Sequence, residues 1–220
     1  MSVEELVVLV DEDGRAIGTA PKAQVHHGAT PLHLAFSCYL YWGEDVLVTR
    51  RALTKATFPG VWTNSVCGHP GPGEPIESAV TRRARDELGV EVTRIQLVLP
   101  RFRYWAEAGG VVENELCPVF AGWVADASTT LAPAEVDAAH WEPWCPFRDD
   151  VVSGVREVSR WCAEQVRELT ALGDHPGQWP TADPALLPHA IRRTPRDTRP
   201  SSGTGLRAGR EPPGRSTASA

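Results

Sequence analysis

With 220 residues, about 170 of which read as foldable, the chain can build one sizeable core; no apolar run nears the roughly 20 residues of a membrane helix, and residues 1–5 are acidic where a signal peptide is basic, so a cytoplasmic protein without a membrane partner is expected. The formal charge of -6 divides unevenly: residues 190–220 carry seven Arg against Asp197 and Glu211, leaving an acidic body that argues against a nucleic-acid partner. Five cysteines, Cys38, Cys67, Cys117, Cys145 and Cys162, include no C-x-x-C pair, so neither a disulfide frame nor a zinc ribbon is indicated.

Strands come first in chain order. Segments 5–10 and 15–19 flank the turn former Asp11-Glu12-Asp13-Gly14, and 34–42 and 46–51 flank Gly43-Glu44-Asp45. In Thr63-Asn64-Ser65-Val66-Cys67-Gly68-His69-Pro70, read as extended, residues two apart point to the same side, so Cys67 and His69 can face one cavity. A helix is predicted over 75–88, started by Pro75 and stopped by Gly89, with Ile76, Ala79, Val80, Ala84 and Leu88 as its buried stripe. Arg83 and Glu87 are four apart and share another face, where a guanidinium and a carboxylate can meet one magnesium diphosphate.

Segments 92–106 and 111–124 then read as paired strands around Ala108-Gly109-Gly110, 133–137 as a short helix, and 147–172 as one long helix ending at Gly173. Interleaved strands and helices of this kind define an α/β fold in one domain over 1–175. Residues 176–189 read as a linker or extension. Residues 190–220, rich in Pro, Gly, Ser, Thr and Arg and without an aromatic, read as a disordered basic tail.

The features Gly68, Glu74, Arg82, Glu87 and Gly89 follow the spacing Gly-x5-Glu-x7-Arg-x4-Glu-x-Gly, which resembles the Nudix box, a loop-helix-loop that holds a divalent metal against a diphosphate. The resemblance implies a mixed β-sheet sandwiched by helices in a single compact domain. The hydrolytic members usually have Glu where this chain has Arg83. Losing that carboxylate weakens water activation, and gaining a cation favours holding the diphosphate intact.

More of the chain resembles type I isopentenyl diphosphate isomerases, from about residue 1 to 172. The carriers are His26 and His33, Arg50-Arg51-Ala52-Leu53-Thr54-Lys55, the stretch from Pro59 to Pro70 around Cys67, Tyr104, Glu113-Asn114-Glu115-Leu116-Cys117-Pro118-Val119-Phe120, and Trp161. By this resemblance, Cys67 and Glu115 occupy the two proton-transfer positions, Tyr104 assists Glu115, and the Trp161 indole faces a carbocation. His26, His33, His69, Glu113 and Glu115 match a site for a divalent ion, Mn2+, Mg2+ or Zn2+; their spacing alone could not gather them. Lys22, Arg51, Lys55 and Arg83 match the diphosphate-binding cations, and Glu87 with the Cys67 carbonyl matches the site of a bridging Mg2+. The implied substrate is a small isoprenoid diphosphate, handled by a monomer or weak oligomer. A diphosphohydrolase and a non-catalytic binding protein are the competing readings.

Overall fold

The computed structural model describes residues 5–192. It begins with a hairpin of β1 (Leu6–Val10) and β2 (Ala16–Pro21). Asp11 closes that turn, its Oδ1 accepting from the Asp13 and Arg15 amides at 3.0 and 2.8 Å. One helical turn, α1 (Lys22–Val25), leads to β3 (His33–Leu34), β4 (Phe36–Trp42), β5 (Asp45–Arg51), β6 (Trp62–Thr63) and β7 (Val66–Gly68). Then come α2 (Ile76–Leu88), β8 (Val92–Leu99), β9 (Arg103–Ala108), β10 (Val111–Leu116), β11 (Val119–Val124), β12 (Val136–Pro143), α3 (Trp144–Ser153) and α4 (Arg160–Thr170).

The α/β architecture expected from sequence is present, with its strands divided between two mixed sheets. One runs β2-β1-β3-β10-β9; the other runs β12-β5-β4-β11-β8, with β6 beside β5 and β7 beside β4. Strand β4 lies at the centre of the second sheet and is buried on both faces, as its apolar sequence allows. Phe36, Cys38 and Leu40 pack with Ile76, Val80 and Leu88 of α2, while Tyr39 and Tyr41 pack with Trp144, Phe147, Trp161 and Trp179. The period-2 alternation of one strand thus joins two cores.

Four expected elements differ. The strands read as 92–106 and 111–124 are each broken, the second at Cys117-Pro118, where proline offers no N–H to a ladder and the chain steps from one sheet to the other. The helix read over 133–137 is a turn, in which the Ala132 carbonyl accepts from the Glu135 and Val136 amides before β12 pairs with β5. The long helix over 147–172 is two. Gly154 ends α3 at φ 78, a left-handed conformation costly for a side chain, and Ser159 caps α4 by accepting from the Cys162 amide.

The segment 176–189 continues past the predicted domain in short 3-10 turns. Trp179 is 4% exposed among Tyr41 and Trp144, its indole N–H donating to the Gly173 carbonyl. In the stretch read as tail, the Ala190 amide donates to the Gly14 carbonyl and Ile191 packs against the core. Residues 193–220, the rest of the tail reading, lie outside the described residues. Among those described, no helix is long and apolar enough to cross a membrane.

Candidate active site and metal centre

Strand register gathers the acid–base groups. On β10, Glu113 and Glu115 are two apart and share a face; Glu115 is opposite Tyr104 on β9 and opposite His33 on β3. The Tyr104 hydroxyl stands 2.8 Å from Glu113 Oε2 and 2.7 Å from Glu115 Oε2. One hydroxyl has one hydrogen, so it can donate to one carboxyl and must accept from the other. The charge distribution selects the pair. Burial and the adjacent Glu115 charge push the Glu113 carboxyl up. Burial also acts upward on Glu115, but the imidazoles of His26, His33 and His69 around it outweigh that and hold the carboxyl well below its ordinary range. The two carboxyls are thus pushed in opposite directions, Glu113 up and Glu115 down, which favours donation from Tyr104 to Glu115.

Cys67 comes from the other sheet, on β7 opposite Ser37 of β4. Gly68 permits the close approach of this strand to α2, because a Cβ there would lie 2.9 Å from Arg83 Cγ and 3.1 Å from the Phe36 ring. The Cys67 sulfur lies 3.2 Å from Asn64 Oδ1 and 3.4 Å from Ser37 Oγ. Burial pushes the thiol up to about 11 despite these contacts and the Arg51 charge, so it is protonated at neutral pH. Trp161, on α4, is 1% exposed; Tyr104 packs at 5.4 Å from its ring, Phe58 meets it edge-on at 5.3 Å, and the Arg51 guanidinium lies 5.6 Å from its centroid. Cys67, Tyr104, Glu113, Glu115 and Trp161 line one cavity of about 480 Å³.

Beside them, His26, His33, His69 and Glu115 each present a ligand atom within 4.8 Å of the others. The distances to Glu115 Oε1 are 3.9 Å from His26 Nε2, 3.4 Å from His33 Nε2 and 3.1 Å from His69 Nε2. His33 Nδ1 is 2.9 Å from the Pro31 carbonyl, which fixes the ring with Nε2 toward the cluster. His26 Nε2, His33 Nε2 and His69 Nδ1 are buried without a hydrogen-bond partner. Burial pulls His69 down to about 4, so it is neutral as a ligand must be. Three imidazoles and a carboxylate with orphaned nitrogens fit a divalent ion. Glu113, expected as a fifth ligand, is outside this group, turned to Tyr104.

Lys22, Arg51, Lys55 and Arg83 line the same cavity. Arg83 Nη2 is 2.6 Å from Glu87 Oε1, the i,i+4 pair that α2 predicts, and 3.1 Å from Glu135 Oε1. Lys55 also pairs with Glu135, and Lys22 with Glu5 at 2.6 Å. Arg51 donates through Nη2 to the Thr57 carbonyl and hydroxyl, both at 2.9 Å. Glu87 faces a separate void of about 30 Å³ that it shares with Cys67, Asn64 and Glu135, room for one water or small ion. Sequence reasoning missed Asn64, Ser37 and Glu135. Asn64 stands within the cysteine motif itself, whereas Ser37 and Glu135 reach the site through β-pairing and a turn that leave no local signal.

Two sheets carrying a loop-helix-loop with Arg82, Arg83 and Glu87 define a Nudix-type domain, and a family model described as NUDIX domain matches residues 31–162. A Deinococcus radiodurans crystal structure shares the fold at TM-score 0.57 and 19% identity, covering 74% of this chain and 98% of its own. The chain is 53% identical over 188 residues to the isopentenyl-diphosphate Delta-isomerase of Saccharopolyspora erythraea, spanning 84% of this chain and 96% of that protein. It is 57% identical over 173 residues to the Mycolicibacterium vanbaalenii protein of the same description, spanning 77% and 93%. Within the Nudix class, the chain belongs to the isopentenyl-diphosphate Delta-isomerase family.

Proposed function

We propose that this chain interconverts isopentenyl diphosphate and dimethylallyl diphosphate, as a monomer or weak oligomer in the cytoplasm. The observation that carries the reading is the meeting of Cys67 from one sheet and the Tyr104–Glu115 pair from the other on one cavity. Shifting a double bond next to a tertiary centre adds a proton at the terminal alkene carbon and removes one from the carbon beside the diphosphate-bearing methylene, through a tertiary carbocation. Two acid–base groups suffice, and their roles exchange when the reaction runs backwards. Cys67 is one. Glu115, relayed by the Tyr104 hydroxyl, is the other. The Trp161 ring, which already lies 5.6 Å from a guanidinium, offers an electron-rich wall to the cation and carries no lone pair that would trap it.

His26, His33, His69 and Glu115 would hold one divalent ion, Mn2+, Mg2+ or Zn2+, with Glu113 close by. Glu87 and the Cys67 carbonyl would hold a Mg2+, which would supply positive charge beside the diphosphate. When bound, such ions neutralise phosphate charge and fix the acidity of the Glu115 carboxyl. Lys22, Arg51, Lys55 and Arg83 bind and orient the diphosphate by exchanging their present partners for phosphate oxygens.

A Nudix diphosphohydrolase is the competing reading. Arg83, held by Glu87 and Glu135, removes a carboxylate from the face that would activate water. Purified protein given isopentenyl diphosphate and Mg2+ should equilibrate the two isomers and release no phosphate. Stoichiometric phosphate or pyrophosphate release without isomerisation would establish hydrolysis instead.

A further inference from the structure

We propose that Asn64 is a positioning residue for the reaction, tying the Cys67 sulfur and the Trp161 indole to one atom; this role rests on the isomerase reading above. Asn64 is 1% exposed, and both ends of its amide are spoken for. Nδ2 donates to the Cys38 carbonyl at 3.2 Å and the Val66 carbonyl at 3.0 Å, oxygens that only accept. Oδ1 accepts from Trp161 Nε1 at 3.1 Å, a group that only donates. The amide therefore has one orientation, since a flip would set N–H against N–H and oxygen against two oxygens.

The same Oδ1 lies 3.2 Å from the Cys67 sulfur and accepts from the Thr63 hydroxyl at 2.9 Å. Oδ1 has no hydrogen to give, so its contact with sulfur is a hydrogen bond only when the thiol S–H donates. The proton can then turn into the cavity by rotation about the Cβ–Sγ bond without moving the sulfur. The Asn64 carbonyl accepts from Thr49 Oγ1 of β5 at 2.7 Å, which fixes the anchor to the second sheet. One buried amide, held at both ends, thus sets the separation between a proton-transfer group and the aromatic wall beside it. Neither side chain could hold that separation alone: Cys67 is on a three-residue strand and Trp161 on α4.

The hydrogen bonds of Asn64 go to Cys38, Thr49, Thr63, Val66, Cys67 and Trp161 and to none of the four cations of the cavity, so its loss should be read in turnover more than in substrate binding. In full-length, metal-loaded protein, Asn64→Ala is expected to lower kcat by about 30-fold or more with KM within about threefold. In protein labelled with 15N at its tryptophans, the Trp161 indole resonance, assigned by its disappearance in Trp161→Phe, should move upfield in Asn64→Ala as its acceptor is lost. A kcat within about threefold of the parent, a loss confined to KM, or an unmoved indole resonance each overturns the role. Should Asn64→Ala fail to fold, indole hydrogen exchange in the unsubstituted protein decides: slow exchange at Trp161 supports the bond to Asn64, and exchange as fast as at an exposed indole overturns it. An unsubstituted protein that leaves both isomers unchanged overturns the isomerase reading and this role together. A fully active parent with an equally active variant overturns the positioning role alone.

Discussion

Tyr104 and Glu115 face each other across β9 and β10, with the phenol oxygen 2.7 Å from the carboxylate and a second carboxyl, Glu113, 2.8 Å from the same oxygen. The hydroxyl can donate only once, and the opposite shifts of the two carboxyls, Glu113 up and Glu115 down, favour donation to Glu115. Tyr104→Phe removes the link and leaves the ring packed against Trp161. Its kcat should fall by about 100-fold while KM stays within about threefold, as expected when a proton relay is lost but binding is not. Steady-state kinetics on the variant checks this, and a change in KM alone would assign the hydroxyl to binding.

Cys67 should be indispensable yet slow to alkylate. Cys67→Ala is expected to lose at least about a thousandfold in turnover, in keeping with loss of an obligatory proton-transfer group. Burial raises the thiol from 9.0 to about 11, so the thiolate fraction at pH 8 drops from about one in ten to about one in a thousand. Iodoacetamide should therefore label Cys67 about a hundred times more slowly than an ordinary cysteine, with the rate still rising above pH 9. Mass spectrometry of the labelled peptide gives the profile; rapid labelling at pH 7 would contradict the protonated resting state.

The histidine cluster should behave as an ion site. Chelation is expected to abolish isomerisation, and His33→Ala should lower bound metal and activity together, because His33 is 0% exposed and its Nε2 faces the cluster. Metal analysis of the purified variant is the check. Full activity in a metal-free preparation would refute the arrangement.

Much of this was legible in the sequence, and the physical reason differs from element to element. Helix α2 has local signals at both ends and an apolar stripe, so its extent and the Arg83–Glu87 pair follow from spacing. Cys67 and His69 share a cavity because extended backbone alternates. The meeting of His33, Tyr104 and Glu115 is different. Tyr104 and Glu115 lie on one local hairpin, but His33 reaches them through the parallel pairing of β3 with β10, strands far apart in sequence, which no local pattern encodes, and only likeness to a family placed the three together. Glu135 was invisible for a related reason: it lies in a turn misread as helix, and its importance comes from Lys55, 80 residues away.

Glu135 should give the protein an acid-sensitive component of stability. Burial opposes its ionisation, but Lys55 and Arg83 prevail and hold it down to about 2 from 4.5. A depressed folded-state value contributes stability above about pH 4.5, and that stability is lost as the pH falls toward 2. With the side chain 25% exposed, the contribution is about 1–3 kcal/mol after screening. Glu87 is pushed up by burial and acts in the opposite direction, so the comparison must be between the parent and Glu135→Gln. Denaturant melts from pH 7 to 3 should show a steeper loss in the parent; parallel curves would dismiss the role.

The segment after α4 should be part of the folded body. Trp179→Ala removes a 4% exposed ring and is expected to cost roughly 3–5 kcal/mol. Truncation after Arg192 should leave melting temperature and activity nearly unchanged. Truncation after His189 removes the Ala190 amide bond to Gly14 and the packing of Ile191, and should lower the melting temperature measurably. Calorimetry on the two truncations separates the boundaries, and equal stability would move the end of the body back to residue 189.

The most direct test is incubation of purified, metal-loaded protein with isopentenyl diphosphate in D2O, followed by NMR. Proton addition at the terminal alkene carbon and removal beside the diphosphate-bearing methylene predict dimethylallyl diphosphate with deuterium in a methyl group, at an equilibrium reached from either isomer and with the diphosphate intact. Unchanged isopentenyl diphosphate, or isopentenyl phosphate with free phosphate and no deuterated product, would contradict the assignment.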